Sequence, residues 1–343
     1  MAQRTLVRGT NWIGDTIMSL AAFRELRRLF PHDHITLLAR PWVAGLFEQQ
    51  GLVDEVLHPE DLGGWIGVRR RLKGFDRAIL FQNAFRAGLQ AFLAGIPERI
   101  GYASDGRRLL LTRRATPRIR QLKRHQIFYY LDLLHQTGLS SLDYLNDAEF
   151  QPDIRLHPPP AWIEEAGRLL SNEGVEQGRP LVVLNPGAAF GPAKRWFPER
   201  YAALADRLIG ECRAEVAVVG SAVERPIAEQ VRGSMRMGSR LHVLSGKTSL
   251  ASLAGVMACC DCFVTNDTGP MHLAAALEVP QVAIFGSTDE VATGPFSQKA
   301  RILHKHVECS PCLLRECPID LRCFSRISAD EVFEAACKVL KHG

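Results

Sequence analysis

No stretch of the 343-residue sequence runs through the ~18 unbroken apolar residues that a membrane-spanning helix needs. Met1-Ala2-Gln3-Arg4 leads straight into a strand-like run, with no secretory apolar region. A cytoplasmic protein is therefore expected. The nine cysteines are odd in number, which without a signal segment argues against a disulfide framework. No RNA-recognition motif or zinc-finger spacing occurs, so nucleic acid is not an expected partner. Nor is the composition that of a disordered chain. Hydrophobic residues make up 46% and charged residues 23%, the balance of a globular protein with large cores.

What is present is length for two domains and an alternation of strand and helix signals. Thr5-Leu6-Val7, Ile35-Thr36-Leu37-Leu38, Val53–Leu57 and Arg77–Phe81 read as strands, with a helix over Ile17–Leu29 between the first two. Residues 140–160 carry Pro152 and Pro158-Pro159-Pro160, which is linker chemistry. A helix over Ala161–Leu170 opens a second series. Its strands are Leu181–Leu184, Glu215–Val219, Cys262–Thr265 and Gln281–Phe285, nearly continuous apolar runs as expected of strands covered on both faces. Strands alternating with helices imply βαβ units and parallel sheets. The expected fold class is α/β with two Rossmann-like α/β/α domains facing a cleft. The expected boundaries are 1–157, 158–325, and a terminal helix over 326–343, with packing against the first domain as one arrangement. Open parallel sheets bind ligands at the carboxyl ends of their strands, so the loops there are the candidate site.

The loop after the first strand is Arg8-Gly9-Thr10-Asn11-Trp12-Ile13-Gly14-Asp15-Thr16. Its outline is that of a P-loop, but Asp15 stands where that motif needs Lys, and a carboxylate there repels phosphate. Asp15 has two readings, a helix N-cap or a general base in the cleft. In the second half, Asn185-Pro186-Gly187-Ala188-Ala189-Phe190-Gly191-Pro192-Ala193-Lys194-Arg195-Trp196 brings two cations to the start of a helix opened by Pro198. Cations do not stabilise that end of a helix dipole, and they fit better with an anion between them and the helix; a solvated loop is the alternative. Thr265-Asn266-Asp267-Thr268-Gly269-Pro270-Met271-His272 leads into another helix, capped by Asp267 or Thr268. Gly269 there lets an anion reach free backbone N–H groups. His272 is either a ligand to phosphate or sugar or a satisfied helix histidine. Glu224, soon after a strand end, is placed to accept from ribose hydroxyls or to lie on a helix surface. Gly246-Lys247-Thr248 lacks the earlier glycine of a P-loop and borders the same cleft.

Net charge is a mild +5, but it is unevenly spread. Arg69, Arg70, Arg71 and Lys73 form one basic cluster. Arg107, Arg108, Arg113, Arg114, Arg118, Arg120, Lys123 and Arg124 form another. They are either a solvated basic face or the contact for an anionic partner. Near the end, Cys309-x2-Cys312-x4-Cys317-x5-Cys323, with His304 and His306 close by, offers thiolates for a structural Zn2+ or an Fe–S cluster; free thiols in a buried loop are the alternative.

The three loops together, with Ala94-Gly95-Ile96-Pro97-Glu98-Arg99 between them, resemble those of the ADP-heptose:lipopolysaccharide heptosyltransferases (glycosyltransferase family 9) over nearly the whole chain. Gly187–Trp196 looks most like the type that adds the second inner-core heptose. The resemblance implies a GT-B architecture and an inverting, metal-independent transfer of L-glycero-D-manno-heptose from ADP-heptose to lipopolysaccharide. Donor binds the second domain and acceptor the first. Asp15 would be the base and Lys194 would neutralise the departing diphosphate. Gly187, Asp267, Thr268, Gly269 and His272 would hold the diphosphate and heptose, with Glu224 and Thr248 on the nucleoside. Asn11, Arg69, Arg70, Arg71, Lys73, Asn83, Arg86 and Arg124 would meet the acceptor. No cofactor is required on this reading. A lipid-anchored acceptor implies peripheral contact with the inner membrane through the basic first half. Rival readings are a transfer to a different core sugar, a non-catalytic nucleotide-binding protein with a cysteine metal site, and a nucleotide-sugar epimerase. The joint presence of Asp15 and Lys194 favours an enzyme over the non-catalytic reading, and an epimerase would be expected to show additional carboxylates in the cleft.

Overall fold

The computed structural model describes residues 2–342. The chain divides into two compact units, Met1–Ile154 and Arg155–Gly343, three residues before the expected boundary. The first holds β1 (Arg4–Arg8), β2 (His34–Leu38), β3 (Glu55–Leu57), β4 (Arg77–Leu80), β5 (Glu98–Tyr102) and β6 (Arg113–Ala115). The second holds β7 (Leu181–Asn185), β8 (Glu215–Val218), β9 (Leu241–Val243), β10 (Cys262–Asn266), β11 (Gln281–Phe285) and β12 (Ala300–His304). The orders are β3-β2-β1-β4-β5-β6 and β12-β11-β10-β7-β8-β9. Counted from each unit's first strand, both read 3-2-1-4-5-6 or its mirror listing, and every pairing is parallel. This is the doubly wound order. The order in which strands are added reverses between the first and fourth strands, which opens a crevice at their carboxyl ends.

The central strands form where apolar runs can be buried on both faces. Val182, Val183 and Leu184 of β7, and Val282, Ala283 and Ile284 of β11, have no exposed surface. The helix after β1 spans Ile13–Leu29 and buries Ile17, Leu20, Ala21, Phe23 and Leu26 on the first sheet. It begins four residues before the apolar spacing predicts, because Ile13–Thr16 form a more polar turn at the carboxyl edge. The terminal helix is Ala329–His342. It inserts Val332, Phe333, Ala336 and Val339 into the second unit's core and packs on the helix Pro198–Cys212 and on β10, β11 and β12. The terminal helix thus spends its apolar face inside the second unit.

At the amino edge of the second sheet, Glu215 is 3% exposed. Its carboxylate lies 2.7 Å from His242 Nε2, 3.1 Å from Arg179 Nη1 and 3.4 Å from Arg240 Nη2. Burial alone would raise its pKa. His242, Arg179 and Arg240 outweigh that and hold it below the ordinary 4.5. A depressed native pKa contributes stability above the unfolded value, lost as pH falls through the native one. Glu215→Gln is therefore expected to destabilise the second unit by about 2–3 kcal/mol at neutral pH. In denaturant titrations the gap between variant and wild type should close as pH falls through the depressed native pKa, below which the wild-type group is also neutral.

Candidate functional site

In the first unit the crevice between β1 and β4 is bordered by the loop carrying Asn11 and Asp15 and by the loop carrying Asn83. Asp15 is not an N-cap. Trp12 occupies that position without a side-chain bond, and Asp15 is the third residue of the helix, in its acidic first turn. A carboxylate there is favoured by the helix dipole. The Tyr130 hydroxyl donates to Asp15 Oδ1 at 3.3 Å. Burial, then the charge of Asp15, push the Tyr130 phenol well above its ordinary value, so it stays a donor. The neighbouring Tyr129 hydroxyl accepts from Asn83 Nδ2 at 2.6 Å, and Asn83 Oδ1 accepts from Arg107 Nη2 at 3.0 Å. Arg107 is fully buried and also donates to the Tyr102 carbonyl at 2.9 Å and to the Gln82 carbonyl. It is a strut for this edge, not a surface cation.

Three arginines collect on the same edge. Arg8 ends β1, Arg40 follows β2 and Arg86 follows β4. Arg8 is 6% exposed; its guanidinium donates to the Leu38 carbonyl at 2.8 Å and reaches Asn11 Oδ1 at 3.5 Å. Burial, then the charge of Arg40, lower its pKa to about 10, with Arg86 adding to the effect and Glu60 opposing it. Glu60 is already paired with Arg40. Like charges gathered at a strand edge suit an anion. Around them stand exposed aromatics: Trp12, Trp42, Trp65 and Phe85. The Trp42 indole donates to the Asn11 carbonyl at 3.0 Å, and Arg86 lies 5.7 Å over the Trp65 ring. Trp65, Phe85, Arg86, Leu62, Val68 and Leu89 line a cavity of about 440 Å³. Sequence reasoning missed Arg8 and Arg40. The available signal was an arginine closing an otherwise buried strand.

The cluster Arg69, Arg70, Arg71 and Lys73 lies elsewhere. The first three end the helix Gly64–Arg71, whose last turn favours cations, and all four are exposed. The helix runs back toward the start of β4, where the Asp76 N–H donates to the Arg4 carbonyl at 2.9 Å. Topology thus takes these four to the amino edge of the sheet, opposite Asp15. The second cluster is largely committed within the unit. Arg113 pairs with Glu98 at 2.8 Å, Arg118 with Asp132, and Arg124 with the Leu145 carbonyl and the Phe128 ring.

In the second unit the crevice lies between β7 and β10. Lys194 Nζ pairs with Asp267 Oδ2 at 2.6 Å and sits 5.1 Å over the Phe190 ring. Asp267 is 4% exposed. Thr268 is the N-cap of the helix Gly269–Ala276, but its hydroxyl accepts from Asn185 Nδ2 at 3.0 Å, and no side chain caps the helix. The expected capping by Asp267 or Thr268 is thus replaced by a pairing role for each, which leaves the helix end without a capping side chain. His272 lies one turn in and is buried. Arg195 turns back to donate to the Ala188 carbonyl at 3.2 Å.

Glu224 and Thr248 occupy the carboxyl ends of β8 and β9. Glu224 Oε2 accepts from the Ser221 N–H at 2.9 Å and hydroxyl at 2.8 Å, a capping box that leaves Oε1 turned toward Gly187. A Cβ on Gly187 would meet that oxygen at 2.2 Å, so a larger residue there displaces the Glu224 carboxylate. The loop bearing Thr248 is tied across by the Gly246 N–H to the Gly220 carbonyl at 2.9 Å.

The cysteine segment does not gather its sulfurs. Cys309 is exposed, Cys312 and Cys317 are half-buried, and Cys323 joins the hydrophobic core, where burial pushes its thiol up. Among the described residues, the group whose ligand atoms converge is Glu290, His304 and His306. What the segment does is brace the Lys194 loop. The Arg315 carbonyl accepts from the Ala193 N–H at 3.0 Å, and its guanidinium donates to the Phe190 carbonyl at 2.9 Å. A Cβ on Gly191 would lie 2.4 Å from the Arg315 carbonyl oxygen.

Comparison with known proteins agrees over the length of the chain. The sequence profile of glycosyltransferase family 9 (heptosyltransferase) matches residues 66–322. Lipopolysaccharide heptosyltransferase 2 of Escherichia coli K12 is 33% identical over 316 residues, covering 88% of this chain and 87% of that one. The protein of the same name from Salmonella typhimurium is 33% identical over 312 residues, with the same coverage. The solved structure of E. coli ADP-heptose lps heptosyltransferase II superposes with a TM-score of 0.84 at 27% identity, covering 99% of both chains. That match extends to both doubly wound units, the GT-B fold class expected from the loops.

The Gly187–Glu224 contact can be tested directly. On the reading that Glu224 meets the nucleoside of the donor, Gly187→Ala displaces the carboxylate, and calorimetric titration with ADP is expected to show binding weakened about tenfold, the worth of one charge-assisted hydrogen bond.

Proposed function

The chain belongs to glycosyltransferase family 9, the heptosyltransferases, and we propose that it moves a heptose from ADP-heptose onto the inner core of lipopolysaccharide, adding the second heptose. The observation that carries this reading is a matched pair of crevice loops. One offers Asp15, bonded by Tyr130. The other offers Lys194, paired with Asp267 ahead of the helix Gly269–Ala276.

The chemistry is a single displacement. The acceptor hydroxyl oxygen attacks the anomeric carbon while the bond to the diphosphate oxygen breaks. The hydroxyl proton passes to Asp15 and the electron pair leaves on ADP. One displacement inverts the anomeric centre. Charge grows on the departing diphosphate, and Lys194 with the N–H groups of the helix start stabilises it, so protein cations supply the stabilisation without a bound ion. Glu224 Oε1 and Thr248 take the nucleoside, and His272 takes the diphosphate or heptose. Asn11, Arg8, Arg40 and Arg86 meet the anionic groups of the acceptor. Asn83 and Arg124 border that surface, while Arg69, Arg70, Arg71 and Lys73 are better suited to a solvated face or a membrane surface. No described helix is long and apolar enough to cross a membrane. The exposed Trp12, Trp42 and Trp65 beside Arg40 and Arg86 are the side chains that favour an interfacial, peripheral contact.

Transfer is measured with ADP-heptose and truncated lipopolysaccharides carrying one or two heptoses. The one-heptose acceptor is expected to be modified. Failure with both refutes the assignment. Asp15→Asn should lower turnover by about 10²–10⁴-fold with ADP affinity unchanged. Near wild-type turnover would remove Asp15 as the base.

Tyr130→Phe tests the positioning bond. Losing a donor to the ionised carboxylate raises its pKa. The acid limb of kcat/KM should therefore move to higher pH, by up to about one unit for a bond worth ~1.4 kcal/mol. A profile that falls in height without shifting assigns Tyr130 to structure alone.

A further inference from the structure

A group at the far edge of the second sheet lies outside the residues proposed for the transfer. Glu290 opens the short turn Glu290–Thr293 after β11, His304 ends β12, and His306 lies two residues on. One ligand atom from each lies within 4.8 Å of the other two. The His304 side chain is 4% exposed. Ser310 Oγ donates its one hydrogen to the Gly286 carbonyl at 2.6 Å. It must therefore accept from His304 Nε2, 3.0 Å away. In the neutral ring this leaves a lone pair on Nδ1. That nitrogen is buried and makes no hydrogen bond, yet lies 2.8 Å from Glu290 Oε2. The other carboxylate oxygen is 3.5 Å from His306 Nε2. Lone pairs held this close repel unless a cation lies among them. The two separations bracket the about 3.0–3.4 Å edges expected when ligands sit about 2.1 Å from one metal.

We propose that Glu290, His304 and His306 bind one divalent transition metal, zinc by preference, with water completing the shell. Two imidazole nitrogens and one carboxylate suit zinc and disfavour the all-oxygen ions Mg2+ and Ca2+. The Nε2–H to Ser310, relayed to the Gly286 carbonyl, is the outer hydrogen bond that orients a metal-bound histidine. The ion would tie the turn after β11 to the end of β12, just where the chain leaves for the segment that braces the Lys194 loop through Arg315. It is a structural site, separate from the transfer chemistry and from the cysteines.

The test uses the full chain without a histidine tag, stripped with chelator and dialysed against Zn2+. Mass spectrometric metal analysis is expected to give one equivalent. Co2+ in its place should show d–d bands without sulfur charge transfer. His306→Ala alters an exposed side chain and leaves the core intact, and it should weaken zinc binding by about tenfold or more. The triple variant Cys309→Ser, Cys312→Ser, Cys317→Ser should keep the full equivalent. Absence of zinc from the wild-type chain overturns the proposal in favour of a His304–Glu290 ion pair. Zinc retained by His306→Ala but lost by the cysteine variant overturns it in favour of thiolate ligation.

Discussion

The loops that carry chemistry in the second unit hang on one buried side-chain amide. Asn266, with no exposed surface, donates through Nδ2 to the carbonyls of Pro186 (2.9 Å) and Gly187 (3.2 Å). Its Oδ1 accepts from the Trp196 N–H and the Tyr201 hydroxyl, both at 3.1 Å. The loop from Pro186 to Trp196 has only one short helical turn of its own, so its backbone groups need partners from outside. Asn266 supplies them at both ends. Gly187, at one end, sets the approach of Glu224. Lys194, near the other, is held by Asp267, the residue after Asn266. Two consecutive residues leaving β10 thus fix the path of the loop and the position of its cation. A buried amide with every bond satisfied tolerates little substitution, because removing it orphans several backbone groups together.

The first unit solves the same problem with different side chains. Arg107 and Asn83 hold the loop after β4, and the consecutive Tyr129 and Tyr130 connect that loop and Asp15 to one helix, Ile127–Gln136. Both crevices are therefore set by buried polar groups on the strands and helices behind them. The side chains proposed to react, Asp15 and Lys194, carry little of the framework. A charge change at Asp15 or Lys194 can then alter chemistry while the surrounding hydrogen bonds persist.

The central strands were legible in the sequence because they are buried on both faces, and continuous apolar runs as short as Leu181–Leu184, bounded by turn residues, seldom form anything but a covered strand. Among the edge strands, β3 was read within Val53–Leu57, but β6 and β12 were not. β12 is mostly exposed or half-exposed, and β6, Arg113-Arg114-Ala115, reads as part of a basic cluster. Charged edge strands resist unwanted pairing, so the property that protects them also hides them from a pattern based on burial. The loops of the site were legible through their turn residues and unsupported charges. What they bond to was not. Asp15 looked like an N-cap until the helix proved to start before it. Arg107 looked like a surface cation, although its three acceptors are carbonyl and amide oxygens that no spacing reveals. The helical direction that carries Arg69–Arg71 away from Asp15 is itself deducible from strand and helix order, and it limits how far a basic run can be assigned to a site by charge alone.

The two crevices also differ in how charge is stored. Lys194 and Asp267 neutralise each other, so the second unit presents little net charge at its helix start before a ligand arrives. On the proposed transfer, a diphosphate would draw on the ammonium that Asp267 already holds, and it would gain most when its own negative charge is largest, as the sugar departs. This is differential stabilisation, the kind that speeds a reaction instead of tightening ground-state binding. In the first unit Arg8, Arg40 and Arg86 outnumber the Glu60 carboxylate that pairs with Arg40, which leaves positive charge among them in advance. A standing excess of that kind favours capture and orientation of an anionic partner. On the proposed transfer, this arrangement of charges suits the first unit's cations to binding and the second unit's to catalysis.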